Sequence, residues 1–423
     1  MKELDLYLDG ILCGTVEQSS SGNLTFDYDE AYRATPGVTP LSLSMPLAAT
    51  THKKRAVLPF LQGLLPDSDE ALRAMATRFS ISANSPFALL EQVGSDVAGA
   101  VQLVPKGSPA SDLTQTRARV RAVSNREIAT LLEQTVLEYT EGAPYFTEVG
   151  RFSLAGAQPK IALHEMPEGG WGIPEDATPT THILKPAVGS FRRVDVVETL
   201  TMRAAELLGN EVAQSALVRI EGWNVFVTRR YDRELHNGTW RRLHQEDLCQ
   251  ALSVSPDKKY QHRYGGPGLA DIARLIRSLP FEADRASVGE SFYRAFVFNL
   301  VAGCTDAHAK NYSLLLDGPS VRLAPLYDLA SYAAYWDGSA RLDSAMNVGG
   351  EYGLEHIGAE ALIAAGQSFG VGSDAREIVE TTQAGMLGAF ESARAELEDL
   401  GPEVREVADD LLRGLRLLPL LMP

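Results

Sequence analysis

Four side chains with chemistry of their own crowd into seven residues: "TDAHAKN", residues 305–311, carries Asp306, His308, Lys310 and Asn311 in a chain that has 8 His among 423 residues. Asp306 and Asn311 stand five apart, and a second carboxylate, Asp328, follows in "LAPLYDLAS". An aspartate that can orient a hydroxyl, an amide oxygen at this interval and a later carboxylate form the arrangement that protein kinases use for phosphoryl transfer. Carboxylate and amide oxygens suit Mg²⁺, a hard cation that neutralises phosphate charge. His308 could shuttle a proton or bind zinc, but no His or Cys stands at metal-site spacing, so a positioning role is expected. Lys310 would neutralise a phosphoryl group in transit, or brace the loop. The bland alternative for the whole set is a polar turn, since D-x-x-x-x-N also arises by chance.

Such chemistry needs a nucleotide anchor. Lys185 lies in the strand-like "THILKPA", where an ATP-anchoring lysine is expected, although Pro186 behind it also fits a charged edge strand. Glu198 in "VDVVETLTMRAAELLG" is the helix acid that could orient this lysine, with Glu206 as a rival on a later turn. There is no GxGxxG. The stretch "FSLAGAQPK", residues 152–160, offers Gly156 between small residues, where backbone N–H groups could approach an anion; read alone it is equally a structural turn.

These residues require elements to hold them. "NYSLLLD" and "VRLAPLYD" read as a hairpin that returns Asp328 toward Asp306 and Asn311. Upstream, residues 121–235 give strand-like "KIALHE", "THILKPA", "SALVRI" and "WNVFVTRRYD" with one helical run, "VDVVETLTMRAAELLGN", which predicts a sheet with that helix against it. Residues 2–28 alternate as short antiparallel strands before helical spacing begins in "LPFLQGLLPDSDEALRAMATRFSI". The polar "KGSPASDLTQTRARV", residues 106–120, marks a boundary, and the runs after 240 are mainly helical. The expected organisation is α+β: a small β-containing domain at 1–110, an α/β lobe at 121–235 and a helical lobe at 236–423.

Composition narrows the classes. No apolar run approaches the roughly 20 residues that span a bilayer, and the N-terminus lacks the apolar stretch of a secretion signal, so a soluble protein without membrane partners is expected. Cys13, Cys249 and Cys304 are isolated, which fits a reducing cytoplasm. A formal charge of -16 argues against a chain whose main task is to wrap nucleic acid. The basic clusters "KK" at 53–54, "RRLHQ" from 241 and "KKYQHR" at 258–263 read as ordinary surface.

The blocks "SLAGAQPKIAL", "RRYDR", "RLHQEDLCQALSVSPDKKYQ", "VFNLVAGCTDAHAKNYSLLL" and "LAPLYDLAS" strongly resemble the HipA family, the serine/threonine-kinase toxins of bacterial toxin-antitoxin modules. The resemblance runs through nearly the whole chain. It implies a protein-kinase-like two-lobed fold with an added N-terminal domain, ATP and Mg²⁺ as cofactors, Asp306 as catalytic base, Asn311 and Asp328 as magnesium ligands, and Lys185 on the ATP phosphates. "VTRRYD", residues 227–232, becomes the hinge strand against adenine, with Arg229 and Tyr231 in it. "SLAGAQPK" becomes the phosphate-covering loop, whose Ser153 matches an autophosphorylated serine. Phosphate there would repel the nucleotide, or would order the loop through a cation such as Arg151. The resemblance further implies a growth-arresting toxin that phosphorylates an aminoacyl-tRNA synthetase. A small helix-turn-helix antitoxin would neutralise it and make most of the DNA contact. A small-molecule or lipid kinase and a catalytically silent regulator stay open beside it.

Overall fold

A computed structural model describes residues 2–108, 119–144, 153–175 and 177–422; Arg151, and most of the polar 106–120 stretch, lie outside the described residues. Helices and sheets are mixed in an α+β architecture, as expected.

The chain begins with a hairpin. Lys2–Leu8 pairs antiparallel with Ile11–Gln18 across Asp9 and Gly10, whose φ values of 46° and 79° supply the turn that the right-handed twist of paired strands favours. Leu24–Tyr28 and Thr51–Lys53 extend the sheet on one side and Val101–Pro105 on the other. Strand alternation turns Leu4, Leu6, Val16 and Phe26 into one core, which the helices Lys54–Gly63 and Pro86–Val93 close with Phe60, Leu61, Phe87 and Leu90.

A six-stranded sheet follows, in the order Ser215–Ile220, Trp223–Arg229, His182–Pro186, Ile161–Glu165, Trp171–Pro174, Val120–Val123. The expectation of a single helix in this region is corrected in two ways. The helix packed on the sheet is Asn125–Glu141, which places Ile128 and Leu132 against Ile161, Leu163, Leu184 and Val225. It starts at a reciprocal cap in which Ser124 and Glu127 satisfy each other's backbone N–H groups. Its buried stripe is so narrow, with Ile128, Leu132 and Thr135 alone fully buried, that hydrophobic periodicity does not announce it. The anticipated helix, Val194–Leu207, packs instead among the C-terminal helices Asp374–Glu396 and Pro402–Leu415.

The C-terminal part is mainly helical, with the long helix Glu282–Val301 at its centre, but it also carries the short strands Ser313–Asp317, Ser320–Leu323, Asp343–Val348 and Glu351–Gly353. By packing, Met1–Pro186, Val218–Pro256 and Leu315–Pro319 form one compact unit, and Ala187–Leu217, Asp257–Leu314 and Ser320–Pro423 a second. This division cuts across the three consecutive segments expected from composition. No described helix is long and apolar enough to cross a membrane.

Candidate active site

The second unit brings the acidic loop together with Asp328. Helix Glu282–Val301 runs out at Gly303, whose φ of +69° turns the chain, and the Cys304 N–H donates back to the Asn299 carbonyl at 2.8 Å. Within the loop the Asp306 carbonyl accepts from the His308 N–H at 2.8 Å and from the Asn311 side-chain amide at 2.9 Å. The Asn311 NH₂ group is thereby engaged, which leaves its oxygen as the end that can face a cation.

The strand Ser313–Asp317 leaves this loop, and the chain returns with the Ala324 N–H donating to the Ser313 carbonyl at 2.8 Å, which closes the expected hairpin. Backbone bonds from Leu326 to Glu211 and from Ala213 to Leu326, both 2.8 Å, fix the returning segment. The Tyr327 hydroxyl donates to the Lys310 carbonyl at 2.7 Å and lies 2.7 Å from the Ser313 hydroxyl. Beyond Asp328, the Ser331 hydroxyl donates to the Ala302 carbonyl at 2.5 Å. Asp328 itself sits between these ties in the left-handed region, φ +59°, which is sparsely populated for a residue with a Cβ.

The Tyr327 ties hold the segment with Asp328 against the loop with Asp306. Asp306 is exposed, yet enough protein surrounds its carboxyl that desolvation raises it; the Tyr260 hydroxyl that donates to Oδ1 opposes the rise, Asp328 adds to it, and Lys259 and Arg263 lower it. His308 is buried, and burial with the nearby Lys259 pushes its imidazole down to about 3, so the ring is neutral. Its Nδ1 has no hydrogen-bond partner, and its ring packs edge-on to Tyr260 with centroids 4.8 Å apart. Lys310 is buried as well. Nothing in the sequence marks Tyr260, which sits inside a basic cluster, or Tyr327, which stands beside the more conspicuous Asp328.

Glu198 is 3% exposed within Val194–Leu207, against the ordinary habit of helix glutamates, whereas its rival Glu206 is exposed and held by Arg203 at 2.5 Å. In the first unit, Lys185 pairs in register with Phe226 across adjacent strands, and its ammonium lies 5.4 Å from that ring's centre.

Of the expected hinge segment, residues 227–232, the strand takes in 227–229. The strand ends at the exposed Arg229, and residues 230–232 turn away from it. The Tyr231 hydroxyl donates to the Gln245 side chain. Arg230, Asp232 and Arg233 enter a buried ionic cluster with Asp96 and Arg242, in which Arg233 meets Asp96 at 2.9 Å, Arg230 meets Asp232 at 2.8 Å and Arg242 meets Asp96 at 3.5 Å. Burial alone would raise the Asp96 carboxyl, but Arg233, Arg230 and Arg242 together hold it well below the usual carboxylate range.

Ser153 is tied to the same cluster. Its N–H donates to the Asp96 carbonyl at 3.1 Å and its hydroxyl to the Leu64 carbonyl at 2.9 Å, and the residue is 1% exposed. Gly156, at φ +106°, receives the Asp67 N–H on its carbonyl at 3.1 Å, and a Cβ there would come 2.5 Å from Lys160 Nζ. The described part of the loop is therefore docked on residues 64–67 and 96, with the serine hydroxyl inward.

The donor set beside Asp306 fits Mg²⁺ with its nucleotide. Among the described residues no group of three or more His, Cys, Asp and Glu side chains is arranged to hold a metal by itself. One carboxylate and one amide oxygen suffice for an ion that keeps waters and phosphate oxygens as its remaining ligands.

Comparison with known proteins follows the same lines. The HipA N-terminal domain family matches residues 4–104, and the HipA-like C-terminal domain family matches residues 152–390. The protein Y4mE of Sinorhizobium fredii is 35% identical over 88% of this chain and 87% of its own length. The serine/threonine-protein kinase toxin HipA of Shewanella oneidensis is 31% identical over 73% of this chain and 70% of its own. Among solved structures, the Shewanella oneidensis complex of HipA, HipB and operator DNA contains a chain that matches with a TM-score of 0.79 at 25% identity, covering 98% of this chain and 96% of that one. The chain belongs to the HipA family of kinases.

Proposed function

We propose that this chain is a Mg²⁺- and ATP-dependent serine/threonine protein kinase that acts as the growth-arresting toxin of a toxin-antitoxin pair. The observation that carries the proposal is the convergence of Asp306, Asn311 and Asp328 in one hydrogen-bonded loop system. Asp306 accepts the proton of the acceptor hydroxyl, and the Asn311 oxygen and the Asp328 carboxylate hold the metal. Bound Mg²⁺ neutralises charge on the nucleotide phosphates. Lys185 and Lys310 are the proposed cations for phosphate oxygens, Glu198 is the proposed helix acid for an anchoring lysine, Gly156 is the proposed point of close backbone approach, the backbone of the segment with Arg229 and Tyr231 is proposed to meet the adenine edge, and His308 braces the base's loop. The segments 1–110, 121–235 and 236–423 are the proposed functional divisions.

Ser153 is the proposed site of autophosphorylation. Its hydroxyl is inward and bonded, so transfer to it requires the loop to leave Leu64 and Asp96. A phosphate of about -1.5 to -2 charge would then be unable to return to the buried site, and activity falls. The acceptor in other proteins is proposed to be an aminoacyl-tRNA synthetase in the cytoplasm, and the neutralising partner a helix-turn-helix antitoxin. The Shewanella oneidensis relative occurs with HipB and operator DNA, and a chain of net charge -16 would leave most DNA contact to such a partner.

The test is labelled ATP with a cell lysate, comparing the parent with Asp306→Asn, followed by identification of phosphorylated residues. Asp306-dependent label on serine or threonine of a translation-linked protein is expected. Equal transfer by both chains would exclude the proposed site, and label confined to metabolites would favour a small-molecule kinase.

A further inference from the structure

The basic run "KKYQHR", residues 258–263, stands outside these assignments, yet its tyrosine touches the catalytic aspartate. The Tyr260 hydroxyl donates to Asp306 Oδ1, and this hydrogen bond lies at the solvent-facing side of the loop. Any hydroxyl arriving from another molecule has to make the same kind of bond, an O–H donated to this carboxylate, before it can lose its proton there.

Tyr260 is held in place from several directions. Its ring meets the edge of His308, and Lys259 Nζ and the Arg263 guanidinium lie 5.7 Å and 5.9 Å from its centre. Its carbonyl accepts from the Tyr264 and Gly266 N–H groups, each at 3.2 Å. The neighbouring Gln261 side chain accepts from the Asn347 N–H at 2.9 Å. Gly266 permits the tight return of this segment, since a Cβ there would fall 1.8 Å from the Lys258 carbonyl oxygen. A built segment therefore delivers one phenol to the base.

We infer that Tyr260 occupies the seat of the phosphoacceptor hydroxyl on Asp306 and competes with the acceptor for it. The inference rests on the kinase function proposed above. Serine or threonine can be phosphorylated only after the phenol has rotated away, so the residue sets how readily foreign hydroxyls, water included, gain the base. It is a filter on acceptor entry and takes no proton from the substrate.

The full chain and its Tyr260→Phe variant are compared with dephosphorylated casein as the probe acceptor, and in parallel for phosphate release to water, which needs no protein acceptor. Phenylalanine keeps the ring against His308 and removes the hydroxyl alone. The KM for casein should fall about fivefold, the weight of one net hydrogen bond, with no fall in kcat, and phosphate release to water should rise. A lower kcat with the parent's KM would show that Tyr260 positions Asp306 and would overturn the inference, as would parameters equal to the parent's in both assays. Asp306→Asn separates the levels: if the parent shows no Asp306-dependent turnover, the kinase function and this inference fall together. Asp306-dependent turnover that Tyr260→Phe does not enhance sinks this inference alone.

Discussion

The side-chain amide of Asn311 donates to the main-chain carbonyl of Asp306 at 2.9 Å, so the residue proposed to face the metal with its oxygen holds the base's backbone with its nitrogen. Its two ends can be separated. Asn311→Asp keeps an oxygen and loses the donor, and it should lower kcat by about 10- to 100-fold at an ordinary Mg²⁺ requirement. Asn311→Ala loses both and should also need more Mg²⁺. Magnesium titrations of label transfer distinguish them, and identical titrations for the two variants would contradict the divided role.

Tyr327 links the Asp306–Asn311 loop to the segment that carries Asp328 through the Lys310 carbonyl and the Ser313 hydroxyl. Tyr327→Phe should lower unfolding stability by about 1–2 kcal/mol and reduce label transfer, because the segment that carries Asp328 loses a tie to the Lys310 loop. Urea unfolding measures the first and the kinase assay the second. Parental values in both would show that the hydroxyl is dispensable.

Glu246 gives the stability a pH dependence. Burial pushes its carboxyl up to about 8, although the Leu43 N–H at 2.8 Å and the Ser42 hydroxyl at 2.5 Å both stabilise the carboxylate. The folded chain therefore keeps a proton that the unfolded chain releases near 4.5. The stability this confers is fully present below that value and is lost as pH rises through about 8. Glu246→Gln, neutral throughout, should melt near the parent at pH 5 and above it at pH 9. The same difference at both pH values would refute the linkage.

Asp96 is the carboxylate that three arginines share in the buried cluster. Asp96→Asn nearly preserves shape but strands positive charge in the interior, and a loss of about 3–5 kcal/mol is expected by urea unfolding. A loss below about 1 kcal/mol would mean that solvent reaches the cluster.

The legible part of the site is the part written in local sequence. Asp306 and Asn311 share one turn, and the hairpin that brings Asp328 back could be read from two short apolar runs around a Gly-Pro break. Tyr260 meets Asp306 from 46 residues away, and nothing local distinguishes it from a surface tyrosine. Asp96 and Arg233 lie 137 residues apart, so the alternation of Arg and Asp in "RRYDR" showed charge without revealing that it is buried. The strands Ile161–Glu165, His182–Pro186, Ser215–Ile220 and Trp223–Arg229 announced themselves as β-branched and apolar runs, whereas the short Val120–Val123 and Trp171–Pro174 of the same sheet did not. The helix Asn125–Glu141 stayed hidden as well, because its apolar stripe is narrow and its Ser124–Glu127 cap carries no period. Glu198 shows the limit of composition: burial depends on what packs over a helix face, which its own residues do not state.

The left-handed backbone of Asp328 makes this aspartate a point of stress, since it combines an unfavourable conformation with a neighbouring negative charge on Asp306. Glycine would accept the same φ without a Cβ and would remove the repulsion. Asp328→Gly should therefore abolish phosphoryl transfer and yet unfold within about 1 kcal/mol of the parent, because relief of the left-handed backbone is offset by glycine's larger unfolded-state entropy. Selection for thermal robustness alone would not purge such dead chains, and only a screen that scores turnover together with melting would retain the aspartate.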